Sequence, residues 1–552
     1  WRERPAHPAR RPRPPARPRE RHAPAACLRR CYPIRKHPAQ RTFGPGMPVT
    51  TRRKAAGDTP APAEKAEPAK TPRKTPAKKP AAAPKTPKAA AAASPAPAKH
   101  AAKTDLGAGW AGKDGSGSGT RGDTFAAKLF STLFTIFLMV STPPFAILLW
   151  YSFSKAGGSV VTLVSGIAAD PAGFIGGVWP SPSAEAWRTL GCWMAFTAAV
   201  QLFMPGKTWH GPVSVAGNVP VYTANGMQSY VFTLVCFFAG WQYGIFSPSR
   251  VTELFGEVLA ALNVFAFAFC GFLWAKGHAF PSSTDSGSSG NPVTDFYWGM
   301  ELYPRIGKRF DLKVFTNCRM GMMGWAVLIL CFAVKQYERD GYLANGMAVS
   351  VFLMQVYIAK FFMWETGYWA SMDIQYDRAG YYICWGCLVW VPSVYTSPAF
   401  YLAYNAPEIS AGVAAGITAL GLAAIWANYD ADRQRQSFRE SGGKVLVWGA
   451  APDKIEAQYK TSTGETKKSL LLCSGWWGNA THLHYVFELT AAFSWSAPAL
   501  FVNVLPYFYF IFLCILLADR ARRDDIRCGD KYGKYWQQYR QKVPYKMVPY
   551  VW

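Results

Sequence analysis

"FAAKLFSTLFTIFLMVSTPPFAILLWYSF", Phe125–Phe153, runs for 29 residues with Lys128 as its only charge. A bilayer core needs about 20 apolar residues of helix, so this run is long enough to cross one. Pro143 and Pro144 predict a kink in its second half. Further apolar runs lie near 186–205, 229–247, 256–276, 320–335, 346–362, 380–403, 411–428, 484–503 and 506–519. They predict about ten crossings, the last two being the least regular. Backbone groups in lipid must be satisfied within the segment. The expected class is therefore all-α, a polytopic membrane protein with about ten transmembrane helices.

Ahead of that run the composition changes abruptly. The 552 residues carry a net charge of +27, and residues 1–122, with 28 Lys/Arg and 7 Asp/Glu, hold +21 of it, leaving +6 for the rest. "PAKTPRKTPAKKPAAAPKTPKAAAAASPAPAK" has almost nothing to bury, so 1–122 is read as a disordered, basic, Lys/Pro/Ala-rich tail. Its composition is that of a solvated tail near anionic lipid heads, and no nucleic-acid partner is expected. The Arg/Pro-rich run before Met47 (1–46) is set aside as upstream sequence or a processed targeting segment. "GAGWAG" at Gly107–Gly112 lacks the preceding strand and following helix of a dinucleotide fingerprint and is read as linker.

Loop charge sets the orientation. Arg433, Arg435, Arg439, Lys444, Lys454, Lys460, Lys467 and Lys468 crowd 429–470, and Arg520, Arg522, Arg523, Arg527, Lys531 and Lys534 crowd the C-terminal tail. Basic loops stay on the cytosolic side, which places both termini there. Eight and then ten crossings satisfy that arrangement. The 12 cysteines sit mostly inside apolar runs, as reduced thiols do. Cys384 and Cys387 form a CxxC without further ligands at a suitable spacing, so no metal site is expected.

Three regions, the third made of two stretches, are too polar for plain membrane packing. "GMELYPRIGKRFDLKVF" (Gly299–Phe315) places Glu301 four residues before Arg305, the spacing of a local ion pair. "FFMWETGYWASMDIQYDRAGYY" (Phe361–Tyr382) sets Glu365, Asp373 and Asp377 among aromatics; buried acids at membrane depth are usually functional. "LLLCSGWWGNATHLHYVFEL" (Leu470–Leu489) and "RARRDDIRCGDKYGKYWQQY" (Arg520–Tyr539) interleave cations with aromatics, a pattern that clamps phosphates and stacks on flat rings. A basic, aromatic pocket against lipid points to a nucleotide cofactor acting on a lipid.

At these stretches residues 124–552 resemble the membrane sterol reductase family. "LLLCSGWWG…HLHYV" and "GDKYGKYWQQYRQKVPYKMVPYVW" match its two signatures. "MELYPRIGKRFDLKVF", "MDIQYDRAGYYICWGCLVWVPSVYTSP" and "RDDIRCGDKYGKYW" are similar to its Δ7-sterol reductases, particularly the plant ones. The resemblance implies a multi-pass enzyme of the endoplasmic reticulum that reduces the C7–C8 double bond of Δ5,7-sterols with NADPH. It implies a transmembrane reductase domain over 123–552 with the cofactor in the C-terminal half, about 429–552. Carried over residue by residue, the NADPH contacts fall on Arg435, Arg439, Leu472, Trp477, His484 and Tyr485. They continue with Asp524, the run Cys528, Gly529, Asp530, Lys531 and Tyr532, and Tyr539. Thr481 departs from the family's frequent Arg, and His484 from the Asn of animal members.

Reducing an unpolarised diene requires a proton at one carbon and a hydride at the other, with donor, sterol ring and nicotinamide held in line. Asp373, Glu301 and Tyr485 are the candidates for supplying or relaying the proton. The nearest alternative is another reductase of the family, acting on a C14 or side-chain double bond. A membrane anchor whose tail tethers chromatin is the second, and a transporter, which predicts repeated halves that the sequence does not show, is the third.

Overall fold

The computed structural model describes residues 125–214, 216–460 and 466–552, so the N-terminal tail and its Gly-rich linker lie outside the described residues. The described chain is mostly helical. Among the described residues five helices are long and apolar enough to cross a membrane: Lys128–Lys155, Phe255–Ala279, Leu312–Asp340, Asn345–Met363 and Ala411–Glu440. The opening stretch is one helix, Phe125–Lys155, running through Pro143 and Pro144.

The other expected spans are also helical, though shorter, interrupted or charged at one end. Ala184–Phe203 and Gly226–Gln242 have 20 and 17 residues. The segment near 380–403 divides into Tyr381–Trp385, a π-helical run Gly386–Tyr395 containing Pro392, and Ser397–Tyr404. Leu483–Ser496 precedes Phe508–Tyr532, whose C-terminal half is charged.

The expected all-α class needs three additions. Lys207–His210 pairs antiparallel with Val221–Ala224, Arg305–Ile306 with Phe310–Asp311, and Lys454–Lys460 with Thr466–Leu472. All three hairpins lie in polar connections between apolar helices. Outside the hydrocarbon, backbone groups can pair with a neighbouring strand or with water, so the restriction to helix does not apply there.

Two π-helical runs, Phe315–Met322 and Gly386–Tyr395, pack against each other in the core. Gly321 makes that approach possible: a Cβ there would stand 3.1 Å from the Cys387 carbonyl oxygen. π turns inside α-helices often accompany functional sites because they re-aim side chains and loosen the backbone ladder. A second buried feature lies beside them. Arg319 donates to Glu365 Oε1 at 2.5 Å and to Asn225 Oδ1 at 2.6 Å.

Trp369 is buried against Tyr222 and Trp209 of the first hairpin, at ring separations of 4.9 and 5.6 Å. Lys313, itself buried, donates to the carbonyls of Asp373 (3.2 Å), Ile374 (2.8 Å) and Asp377 (2.7 Å). These contacts fix the short segment that carries Asp373. Among the described residues no three His, Cys, Asp or Glu side chains are grouped to hold a metal ion, and the described cysteines are unpaired.

Candidate active site

A large cavity, of ≈ 1670 Å³, is shared between the membrane helices and the C-terminal region. Its walls follow from helical spacing. On Phe508–Tyr532 the lining residues Tyr509, Leu513, Leu517, Arg520, Asp524 and Cys528 recur every three or four positions. One helix face therefore passes from apolar to charged along the cavity. Tyr509 to Lys531 spans roughly 33 Å of helix. On Ala411–Glu440 the same spacing turns Asn428, Asp432, Arg435 and Arg439 inward.

At the charged end Arg435 stands 4.6 Å over the Trp477 ring, with Arg439 one turn further on. Trp477 is held in place because its Nε1 donates to the Ala431 carbonyl at 2.8 Å and its own carbonyl accepts from Tyr539 Oη at 3.1 Å. The turn before it needs Gly475, at φ +63°, where a side chain would run into Gln434. Gln434 Oε1 in turn accepts from Trp476 N at 3.0 Å. Lys531 lies 4.3 Å over Tyr459 of the Lys454–Lys460 strand, and Leu472 ends the partner strand.

Next come the histidines. His482 stacks on Tyr485 at 4.9 Å and 6°, and His484 stands 4.3 Å from Tyr485 and 4.9 Å from Trp477. Burial, and then His484, pushes the His482 imidazole down to about 3, so it is neutral. Both His482 nitrogens and His484 Nδ1 are buried without a hydrogen-bond partner among the described residues, and His482 Nε2 lies 3.5 Å from Asp524. Burial raises the Asp524 carboxyl, but the Arg527 and Arg435 charges outweigh it and hold the group below the usual range. Burial, and then Asp524, pushes the Cys528 thiol up to about 12, so it is a neutral wall group.

The apolar part is walled by Met322, Trp325, Ile383, Trp390, Val391 and Tyr395. Where it meets the charged part, Asp373 pairs with Arg520, and both line the cavity with Tyr485.

The structure brings most of the expected residues together. Arg435, Arg439, Leu472, Trp477, His484, Tyr485, Asp524, Cys528, Asp530, Lys531, Tyr532 and Tyr539 all line this cavity. Gly529 belongs to the same helix turn but is not part of the lining. Of the proton candidates, Asp373 and Tyr485 line it and Glu301 does not.

Glu301 instead accepts from Lys276 at 2.7 Å and from Ser282 N at 2.6 Å. The expected pair with Arg305 is replaced, since Arg305 turns to Asp311 at 3.4 Å. A short hairpin reverses the chain at 305–311 and carries the Arg305 head away from Glu301. The missing cation at Thr481 is partly made up from another element: Arg540 Nη1 donates to Thr481 Oγ1 at 3.1 Å.

Sequence reasoning passed over a half-buried polar chain in the wall. Tyr357 Oη donates to Glu488 at 2.5 Å, Lys360 reaches Asn428, and Asn428 Nδ2 donates to the His484 carbonyl at 2.9 Å. The one available signal was Glu488 standing four residues after His484, on the same helix face.

The model of the ergosterol biosynthesis ERG4/ERG24 family matches residues 124–552. The chain belongs to this family. It is 55% identical over 412 residues to an Arabidopsis thaliana protein named 7-dehydrocholesterol reductase, covering 75% of this chain and 95% of that one. It is 32% identical to the Xenopus laevis protein of the same name, covering 78% and 94%. A Methylotuvimicrobium alcaliphilum Δ14-sterol reductase is 34% identical over 75% of this chain and 94% of its own. As a member of the ERG4/ERG24 family with five apolar helices of spanning length, the chain is a membrane protein.

Proposed function

We propose that this chain reduces the C7–C8 double bond of Δ5,7-sterols with NADPH. The observation that carries the proposal is this continuous cavity, cationic and aromatic at one end and apolar at the other. Its ≈ 1670 Å³ exceeds the roughly 300–1,000 Å³ of a pocket for one small ligand. That leaves room for a nucleotide and a sterol end to end. The identity to named 7-dehydrocholesterol reductases supports the choice of double bond.

The charged end fits a dinucleotide phosphate. Arg435, Arg439 and Lys531 supply the cations, Trp477 a ring face, and the unpartnered His482 and His484 nitrogens the polar contacts. NADPH, when bound, supplies the hydride. Tyr485 holds the proton at its Oη and delivers it to the alkene. Arg520 and Arg435, whose charges bear on that phenol, offset the negative charge left behind. Asp373 keeps Arg520 in place for this task. Trp325, Trp390 and Tyr395 keep water from the carbocation and present π faces to it. Glu301 takes no part.

The full reading has residues 123–552 as one reductase domain and about 429–552 as its cofactor half. It has ten crossings and both termini in the cytosol, following the distribution of Lys and Arg, and an endoplasmic-reticulum membrane, as the resemblance to the sterol reductases implies.

The test is a sterol profile. The full chain, expressed in a sterol-producing host lacking its own Δ7-reductase, should deplete Δ5,7-dienes with a matching rise in Δ5-sterols. An unchanged diene pool from membrane-inserted protein would sink the proposal, and loss of a Δ14 bond would move it to the Δ14-sterol reductase branch. Replacing Arg435 by Gln should raise the Kd for NADPH roughly tenfold to a hundredfold, the loss of one charge-assisted contact. Titration of the purified protein by tryptophan quenching checks this.

A further inference from the structure

We infer that Asn317 and Tyr368 form the subsite for the ring hydroxyl of the sterol, a reading that rests on sterol reduction at this cavity. Both residues line it, and Asn317 is 2% exposed. Asn317 Nδ2 donates to Tyr368 Oη at 3.0 Å, while Asn317 Oδ1 is buried without a hydrogen-bond partner among the described residues. A buried amide oxygen left unpaired is costly, so such an atom in a cavity wall marks a place for a donor.

The pair offers a matched set. Tyr368 Oη already accepts from Asn317, so its own O–H is the half that remains to donate. The free Asn317 oxygen accepts. A hydroxyl group does both, giving its proton to Asn317 Oδ1 and accepting from Tyr368 Oη. An ether could only accept, and a hydrocarbon could do neither.

Three features favour a sterol hydroxyl over part of the nucleotide. Neither side chain is charged, whereas the cations suited to phosphate, Arg435, Arg439 and Lys531, belong to other helices. The surroundings are apolar: the Tyr368 ring lies 5.0 Å from Phe361, and Met322 follows from the same π-helical run as Asn317. The subsite also adjoins the reacting region, since the turn Glu365–Trp369 that carries Tyr368 packs against Met372–Gln375, which carries Asp373. In a sterol the hydroxyl-bearing ring is fused to the ring containing C7, so an anchor for one must stand close to the other. The Phe315–Met322 π turn accounts for Asn317 facing the cavity from a helix otherwise buried in the core.

The test compares three substrates with the full chain: a Δ5,7-sterol with a free 3β-hydroxyl, its 3-methyl ether and its 3-deoxy analogue. Wild type should lose roughly tenfold to a hundredfold in kcat/KM from hydroxyl to deoxy, with the ether between them. In Asn317→Leu and Tyr368→Phe that ratio should fall toward one, while the Kd for NADPH stays near wild type. If Asn317→Leu does not fold, Tyr368→Phe, which removes a single oxygen, decides alone. A folded variant that keeps the wild-type ratio overturns the subsite, as does a wild type that reduces all three sterols equally. A wild type inactive on every one overturns sterol reduction itself.

Discussion

Tyr485→Phe is expected to lower kcat for Δ5,7-sterol reduction by about two to four orders of magnitude, the range for loss of a general acid. The substitution removes one oxygen and leaves the ring. The stack on His482, at 4.9 Å and 6°, and the contact with His484 at 4.3 Å are made by ring atoms and persist. NADPH binding should therefore change only a few-fold, which separates proton delivery from cofactor holding. Single-turnover reduction with saturating NADPH, set beside a fluorescence titration of the same variant, measures both. If Tyr485→Phe turns over at the wild-type rate, the phenol is a wall group and Asp373 becomes the donor to test. Asp373→Asn is the less clean experiment, because it leaves the Arg520 guanidinium without its counter-ion and so disturbs the same field.

The membrane character and the basic, aromatic character of part of the cavity wall could be read from the sequence because their signals are local. Apolar runs and clusters of Lys and Arg are visible within twenty residues, whereas Trp477, Tyr485, Asp524 and Tyr539 were singled out through the resemblance to the sterol reductase family. What escaped depends on residues far apart in the chain. Glu301 stands four places before Arg305, a spacing that promises a pair on a helix. The chain forms a hairpin there instead, and the partner is Lys276, 25 residues away. Lys360, Asn428 and Glu488 meet only because three helices pack together. The π turns left no readable trace either. One inserted residue per turn changes the apolar period too little to detect in runs that are apolar on every side. The first two hairpins were hidden for the opposite reason, since strands of four and two residues in polar loops carry little alternation to read.

Breaking the buried Arg319–Glu365 pair is expected to cost about 3–5 kcal/mol of stability, with the loss depending on which partner is removed. The two side chains are 1% and 3% exposed, 2.5 Å apart, and Arg319 is also bound to Asn225 and lies 5.9 Å over the Phe362 ring. Arg319→Gln leaves a buried carboxylate, which can take up a proton and become neutral. Glu365→Gln leaves a guanidinium, which keeps its charge at any ordinary pH. Glu365→Gln should therefore be the more damaging, although it is the smaller change in shape. Replacing both, Arg319→Met with Glu365→Gln, should recover much of the loss because no bare charge remains. Heating each variant in detergent and following the monodisperse fraction by size-exclusion chromatography gives the order. Equal losses in the two single variants would mean that the carboxylate does not neutralise when left alone. Since Glu365 begins the turn that carries Tyr368 and Trp369, the destabilised variants should lose sterol binding before they lose NADPH binding.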